Sequence, residues 1–399
     1  MIKCAPAENR EAGAYGSAEA GRGGKNMQRI FHTPEGVRDI YNGECTQKGK
    51  LQKKIRKIFH SYGYEDIETP TFEYFEVFSR EVGTVPSREL YKFFDREGNT
   101  LVLRPDFTPS VARACAAYFS PDKEVVRLCY AGNAFVNNSA YQGRLKETTQ
   151  MGVERYGDES ADADAELLAM TVECLKSAGL EEFQVSVGQG SYFKALVEEA
   201  GLDEDARENL RSLISEKNYF GVEDLVKKEQ ISPKLAAVLM ELPQLFGSRE
   251  VLERARELTS NPEALKAVAR LEEIYEILKL YGCEKYISFD FGMVSKIRYY
   301  TGIIFQAYTY GTGEPLIKGG RYDKLMQHFG KPAPATGFVI VVDSLLTALS
   351  RQKIRMEETE PTVMITYTRG EREQAIRQAA ELRKEGKHVA LKLEEDTEQ

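Results

Sequence analysis

Three short stretches carry residue types that could grip a small polar molecule. In Leu103-Arg104-Pro105-Asp106-Phe107-Thr108-Pro109 a carboxylate and a hydroxyl stand two positions apart, an acceptor pair able to hold an ammonium group by charge-assisted hydrogen bonds. The same spacing beside Pro105 also makes an Asx or Thr turn, and taken alone the turn is the more economical reading. In Thr149-Gln150-Met151-Gly152-Val153-Glu154 the two-residue period of a strand puts Gln150, Gly152 and Glu154 on one face, offering an amide and a carboxylate to an imidazole or an amine. A half-solvated sheet face would look the same. Tyr299 and Tyr300 are adjacent, so on a strand one hydroxyl can reach into a pocket while the other ring packs in the core. Gly319-Gly320, ahead of Arg321-Tyr322-Asp323, allows the backbone to approach a ligand closely or simply to turn.

These residues need elements to hold them. Leu51, Ile55, Ile58 and Phe59 recur at helical spacing among lysines and arginines, which predicts an amphipathic helix from Gln47 to His60 ending near Gly63. Strands are expected at Asp66–Pro70, Thr100–Arg104, Glu124–Tyr130, Gln150–Tyr156, Gln184–Gly188 and Ile303–Tyr310, and also across Met293–Gly302. Helices fall at Ser110–Ala117 and Asp162–Ala178, the second opened by acidic residues that suit a helix N-terminus. From Phe193 to Tyr281 apolar residues recur at three and four, and Pro233, Pro243 and Pro262 punctuate the segment. That pattern predicts a helical insertion, after which Ile287-Ser288-Phe289-Asp290 resumes the sheet. Strands and helices in mixed order predict an α+β domain around an antiparallel sheet.

In this order the motifs resemble those of class II histidyl-tRNA synthetases, from Thr33-Pro34-Glu35-Gly36-Val37-Arg38-Asp39 to Leu349. Gln142-Gly143-Arg144 with the Gln150 strand resembles the second class II motif, and Gly337-Phe338-Val339-Ile340-Val341-Val342-Asp343-Ser344 stands in the place of the third. The resemblance implies a fold of class II aminoacyl-tRNA synthetase type, an antiparallel sheet flanked by helices, with a helical insertion and a short C-terminal βαβ unit. It also implies a histidine pocket of Asp106, Thr108, Gln150, Glu154, Tyr299 and Tyr300. Three arginines that such enzymes use are replaced here by Ser295, Val136 and Ser344. Negative charge on the reacting phosphate then has no guanidinium to meet it, and Lys296 and Arg298 are out of phase with Ser295 on a strand. The chain is therefore similar to the non-catalytic relatives of these enzymes, the regulatory subunits of ATP phosphoribosyltransferase. That resemblance implies no catalytic residues, a short-form ATP phosphoribosyltransferase catalytic subunit as partner, histidine as effector and a self-dimer within a hetero-oligomer. The competing expectations are an atypical histidyl-tRNA synthetase and an architectural subunit without ligand sensing. Pyrophosphate exchange separates the first, calorimetry with histidine the second.

The remaining features agree with that expectation. Across 399 residues, 54 basic and 62 acidic side chains leave a net charge of −8, a balance that weighs mildly against gripping a polyanion such as tRNA. Hydrophobic residues at 42 % and charged residues at 29 % are ordinary for a soluble globular protein. No apolar run approaches a membrane span, so a cytoplasmic protein is expected. Six cysteines are scattered without a close pair, which predicts reduced thiols, no disulfide framework and no metal cluster; no cofactor is expected either. Residues 1–26 are rich in Gly, Ala, Glu and Arg and are expected to be a disordered extension. The core is expected at 27–192 and 282–350, the insertion at 193–281 and a partial α/β unit at 361–399. That tail is about half the length of the anticodon-binding domain ending bacterial histidyl-tRNA synthetases.

Overall fold

The computed structural model describes residues 4–6, 31–78, 85–138, 144–294, 300–354 and 362–394. The chain opens with a strand, β1 (Cys4–Pro6), then a helix, α1 (Asn42–Ser61). Leu51, Ile55, Ile58 and Phe59 are its buried face, as the helical spacing predicts. Gly63, at φ +77°, ends the reversal after it, a backbone position that costs an L side chain strain. Next come β2 (Glu65–Asp66), β3 (Phe72–Tyr74), β4 (Lys92–Phe94) and β5 (Thr100–Leu103), then α2 (Thr108–Tyr118), β6 (Val126–Phe135) and β7 (Glu147–Tyr156).

The next helix, α3 (Ala161–Ala178), shows why this segment is helical. Ser160 Oγ accepts from the Ala163 amide, Asp162 and Asp164 lie in the first turn, and Gly179 at φ +103° closes the end, so donors, dipole and terminator are all provided. After β8 (Gln184–Gln189) the chain is helical through α4 (Gly190–Glu199), α5 (Glu204–Ser215), α6 (Tyr219–Lys228), α7 (Pro233–Glu241), α8 (Glu250–Leu258) and α9 (Pro262–Leu280). The short strand β9 (Phe246–Gly247) interrupts this run. The sheet resumes with β10 (Ile287–Asp290), β11 (Ile303–Tyr308), β12 (Ile317–Arg321) and β13 (Ala335–Val341), followed by α10 (Val342–Arg351). The C-terminal elements are β14 (Val363–Tyr367), α11 (Arg372–Lys384) and β15 (Val389–Leu393).

Two compact units emerge. The larger comprises Pro34–Asp39 and Lys48–Arg355, and contains a nine-stranded sheet in the order β2-β6-β7-β13-β12-β11-β8-β10-β9. Most neighbours are antiparallel, as expected, but β2 pairs with β6 and β8 with β10 in parallel. The cause lies in the connections. Parallel neighbours need a crossover of a dozen or more residues, and the helices from α4 to α9 form that crossover between β8 and β10. A second sheet, β3-β5-β4, brings the chain to Arg104 and α2.

The smaller unit comprises Met1–Thr33, Ile40–Gln47 and Met356–Gln399. Parallel strands β14 and β15 pack on α11 around buried Ile365, Ala375 and Ala379. The sequence pattern predicts this βαβ arrangement. It does not predict β1, which adds antiparallel to β14 inside the segment expected to be disordered. A free strand edge presents unpaired amides and carbonyls that any extended segment can complete, whatever its hydrophobicity. Among the described residues no helix is long and apolar enough to cross a membrane.

Candidate functional site

The centre of the site is Glu154, on β7 with 1 % of its surface exposed. A carboxylate this deeply buried must be hydrogen-bonded or protonated, and here both tendencies act. Thr108 Oγ1 donates to Oε1 at 2.7 Å, the Tyr130 hydroxyl approaches the same oxygen at 3.4 Å, and the Tyr322 hydroxyl donates to Oε2. Burial pushes the Glu154 carboxyl up to about 8, against the opposing pull of the bonds from Tyr322, Thr108 and Tyr130, while the nearby Asp106 charge adds to the rise. Near neutral pH the group can thus hold or release a proton. A bound cation would favour its charged form.

Its neighbours are positioned by the ends of other elements. Asp106 Oδ1 accepts from the Thr108 amide at 2.9 Å, so the Asx turn is real, and it starts α2 with the Thr108 hydroxyl turned to Glu154. The turn and the polar-pocket readings of this motif are therefore compatible. Tyr300 is held by its neighbour: the Thr301 amide donates to the Arg321 carbonyl at 2.8 Å, and Thr301 Oγ1 to Asp323 Oδ2 at 3.1 Å. Its ring lies against Gly320. Burial, then Asp106 and Glu154, push the Tyr300 hydroxyl well above its ordinary range, so it remains a neutral donor. Behind it Arg321 is anchored on Asp164, which is fully buried and also paired with Arg270 at 2.8 Å.

The sheet beneath has no room for side chains where Glu154 crosses it. Gly337 is the register partner of Glu154 on β13, and a Cβ there would stand 1.9 Å from Glu154 Oε2. Glycine at this position lets the carboxylate lie across the neighbouring strand.

Gln150 shares the face of Glu154 but stands four residues along β7, about 13 Å away. It pairs with Gly132 across the sheet. Its Oε1 is buried without a hydrogen-bond partner among the described residues, an arrangement that is costly unless a donor arrives. Over Gly132 lies Arg104, stacked 4.0 Å above the Phe107 ring. Its Nε donates to the Asn133 carbonyl at 2.8 Å and its Nη1 to those of Thr69 and Pro70 at 2.8 and 3.3 Å. No ion pair holds this guanidinium among the described residues, and burial lowers its pKa.

Of the six residues expected to form the pocket, Asp106, Thr108, Glu154 and Tyr300 come together and Gln150 lies farther along the same face. Tyr299, like Ser295, Gln142 and Gly143, lies outside the described residues. Val136 follows β6 and donates its amide to the Lys146 carbonyl at 2.8 Å. Ser344 lies in the first turn of α10, next to Asp343, whose carboxylate accepts from Lys48 Nζ at 2.8 Å and the Thr149 amide at 2.5 Å. Sequence reasoning did not single out Tyr130 and Tyr322. Tyr130 is the cross-strand partner of Gly152, so the period-two argument that selected Gln150, Gly152 and Glu154 would have reached it had the pairing been known.

The largely antiparallel sheet that carries this buried acid and its ring of hydroxyls is of class II aminoacyl-tRNA synthetase type. A family model described as histidyl-tRNA synthetase matches residues 36–345. A crystal structure from Bacillus halodurans, described as an ATP phosphoribosyltransferase regulatory subunit/histidyl-tRNA synthetase, has a TM-score of 0.82 at 36 % identity over 91 % of this chain and 93 % of that one. A Nostoc histidyl-tRNA synthetase, at 21 % identity over 92 % of this chain and 87 % of its own, shares the fold with a TM-score of 0.76. Among curated relatives, an ATP phosphoribosyltransferase regulatory subunit of Acetivibrio thermocellus is 41 % identical over 363 residues, 91 % of this chain and 87 % of the relative. Another, of a Thermoanaerobacter species, is 40 % identical over 362 residues, 91 % of this chain and 94 % of its own. The chain belongs to the histidyl-tRNA synthetase-like family, and within it to the ATP phosphoribosyltransferase regulatory subunits.

Proposed function

We propose that this chain is the histidine-sensing, non-catalytic subunit of an ATP phosphoribosyltransferase in the cytoplasm, required for the first step of histidine biosynthesis. It would act on a short-form catalytic subunit, which transfers phosphoribosyl from phosphoribosyl pyrophosphate to ATP, and would dimerise within that hetero-oligomer without tRNA. The observation that carries the reading is the built cluster around Glu154, with Thr108, Tyr130 and Tyr322; Ser295, Val136 and Ser344 support it, standing where the resemblance implies arginines in the related enzymes. Histidine suits the cluster because Asp106 and Glu154 offer acceptors to its ammonium or imidazole, and the open Gln150 carbonyl offers another.

Adenylation is disfavoured on the same grounds. Losing one positioned donor to a developing oxyanion lowers a rate by roughly 10²–10³, and neither serine nor valine replaces a guanidinium's charge and fork. Among the described residues, two guanidiniums beside the cluster are engaged elsewhere: Arg104 with three backbone carbonyls, Arg321 with Asp164 and Asp323.

The test mixes the chain with a short catalytic subunit and follows phosphoribosyl-ATP formation against histidine concentration. Activity should appear only in the mixture and fall as histidine rises, with a coupling between sites on the order of 1–3 kcal/mol. Robust pyrophosphate exchange by the chain alone would instead establish a synthetase. Absence of histidine binding, with or without the partner, would leave an architectural subunit.

A further inference from the structure

A second group of reactive side chains meets at the edge strand of the large sheet. His60 lies in the last turn of α1, the chain reverses through Gly63, and Asp66 ends β2. Cys129, on the adjoining parallel strand β6, is the register partner of Asp66. His60 Nε2 is 2.9 Å from Asp66 Oδ2, and Cys129 Sγ is 3.5 Å from Asp66 Oδ1. All three donor atoms lie within 4.8 Å of one another.

We propose that His60, Asp66 and Cys129 form a binding site for a thiophilic divalent cation, zinc foremost. Imidazole, carboxylate and thiolate are the donors zinc takes, and tetrahedral bonds of about 2.0–2.3 Å hold such donors roughly 3.3–3.8 Å apart. The 3.5 Å between Cys129 and Asp66 lies inside that range, and the 2.9 Å between His60 and Asp66 must open by a few tenths of an ångström to enter it. Closing the third requires only rotation of His60, whose ring is half exposed. Three protein ligands leave a fourth position for water. On loading, the Cys129 S–H bond gives way to a sulfur–metal bond and the proton leaves to solvent.

The surroundings discriminate this site from a chance cluster. Cys129 is 1 % exposed and fixed in the sheet, where the Ile67 amide donates to its carbonyl at 2.8 Å, so the soft ligand is rigid while the two harder ones face solvent. Arg56 Nη1 stands 3.6 Å from Asp66 Oδ1 with both side chains half exposed. This guanidinium competes with a cation for the carboxylate and must swing aside when one binds. The expectation of no metal cluster rested on close spacing along the chain. These donors are separated by 6 and 63 residues and meet only through the parallel pairing of β2 and β6.

Cobalt(II) is the probe, titrated into the reduced full-length chain and followed by absorption. The expected result is a thiolate-to-cobalt charge-transfer band with tetrahedral ligand-field bands, both displaced by zinc. Cys129→Ser should abolish the charge-transfer band. His60→Ala and Asp66→Asn, at exposed positions that leave the core intact, should each weaken affinity by at least about tenfold, while Arg56→Ala should tighten it. Absence of the band in the unaltered chain overturns the proposal, as does its persistence in Cys129→Ser, which would assign it to another thiol such as the exposed Cys45. Unchanged affinity in both His60→Ala and Asp66→Asn overturns it equally.

Discussion

Two places on the same sheet are furnished differently. Around Glu154 three hydroxyls converge on one carboxyl group, and a glycine on the next strand clears the space the group occupies. At the end of β6 and the start of α10 stand Val136 and Ser344, and Asp343, beside Ser344, is neutralised by Lys48. Recognition of a small dipolar molecule needs only well-placed donors and acceptors, whose net worth is about 1–3 kcal/mol each when charge is involved. Chemistry at a phosphate needs fixed positive charge in addition. The first requirement can be met without the second, and on the function proposed above that separation would let one fold serve both synthetases and regulatory subunits.

The comparison breaks most severely at Glu154. Replacement by Ala leaves Thr108, Tyr130 and Tyr322 without their common acceptor in a buried place, so histidine binding should vanish in calorimetry, and thermal or urea unfolding should show a loss of about 2–4 kcal/mol. Glu154→Gln keeps the hydrogen-bonding shape and should stay folded, with histidine affinity down by about ten- to a hundredfold. Full affinity in the Gln variant would mean that the carboxylate's charge contributes nothing to recognition. Gly337→Ala comes next. Its methyl group would sit within 1.9 Å of Oε2 and 2.6 Å of the Val153 carbonyl, so the Glu154 side chain or the strand must move, at a cost of about 1–3 kcal/mol. Histidine affinity should fall with it, and normal binding would show that the carboxyl can turn elsewhere.

Much of this arrangement was legible beforehand. Residue type, spacing and strand period single out Asp106, Thr108 and Glu154, but taken alone they fit a turn and a sheet face equally well, and only the family resemblance joins them in one pocket. The buried face of α1, by contrast, follows from four apolar residues at helical intervals. What stayed hidden depends on pairing between distant segments. Tyr322 reaches Glu154 because β12, β13 and β7 lie side by side in one register, and no local pattern fixes that order. β1 was missed because its partner is an open strand edge rather than an apolar core, so composition argued against it. The parallel pairing of β8 with β10 was equally invisible, since it comes from the direction in which the helical insertion returns the chain.

A pH series sharpens the comparison further. Glu154 sits at about 8 in the folded chain, above the ordinary carboxyl range, so below that pH a cationic ligand must displace its proton. Affinity for histidine should rise with pH, by up to about tenfold per unit, and level off above about 8; in Glu154→Gln the slope should disappear. Folding has the opposite sign. A carboxyl raised on folding stabilises fully below its unfolded pKa and loses that contribution as pH climbs through the folded value. The ligand-free chain should therefore weaken between about pH 5 and 8 relative to Glu154→Gln. A flat binding profile in the unaltered chain would place the proton on another group.

The smallest expected effect belongs to Tyr130→Phe. Its hydroxyl is the longest of the three contacts on Glu154 at 3.4 Å, the edge of what counts as a hydrogen bond, while the stacking of its ring on Phe107 at 4.4 Å survives the change. Stability should move by no more than about 0.5–1 kcal/mol. The informative quantity is the midpoint of the pH profile. The Tyr130 hydroxyl favours the charged carboxylate, so removing it should shift the rise in histidine affinity slightly upward in pH. Tyr322→Phe, which removes the strongest of the three opposing bonds, should shift it farther in the same direction. A larger shift from Tyr130 than from Tyr322 would mean that ligand binding redraws the hydrogen bonds around Glu154 and that the tyrosine on β6 is the residue histidine engages.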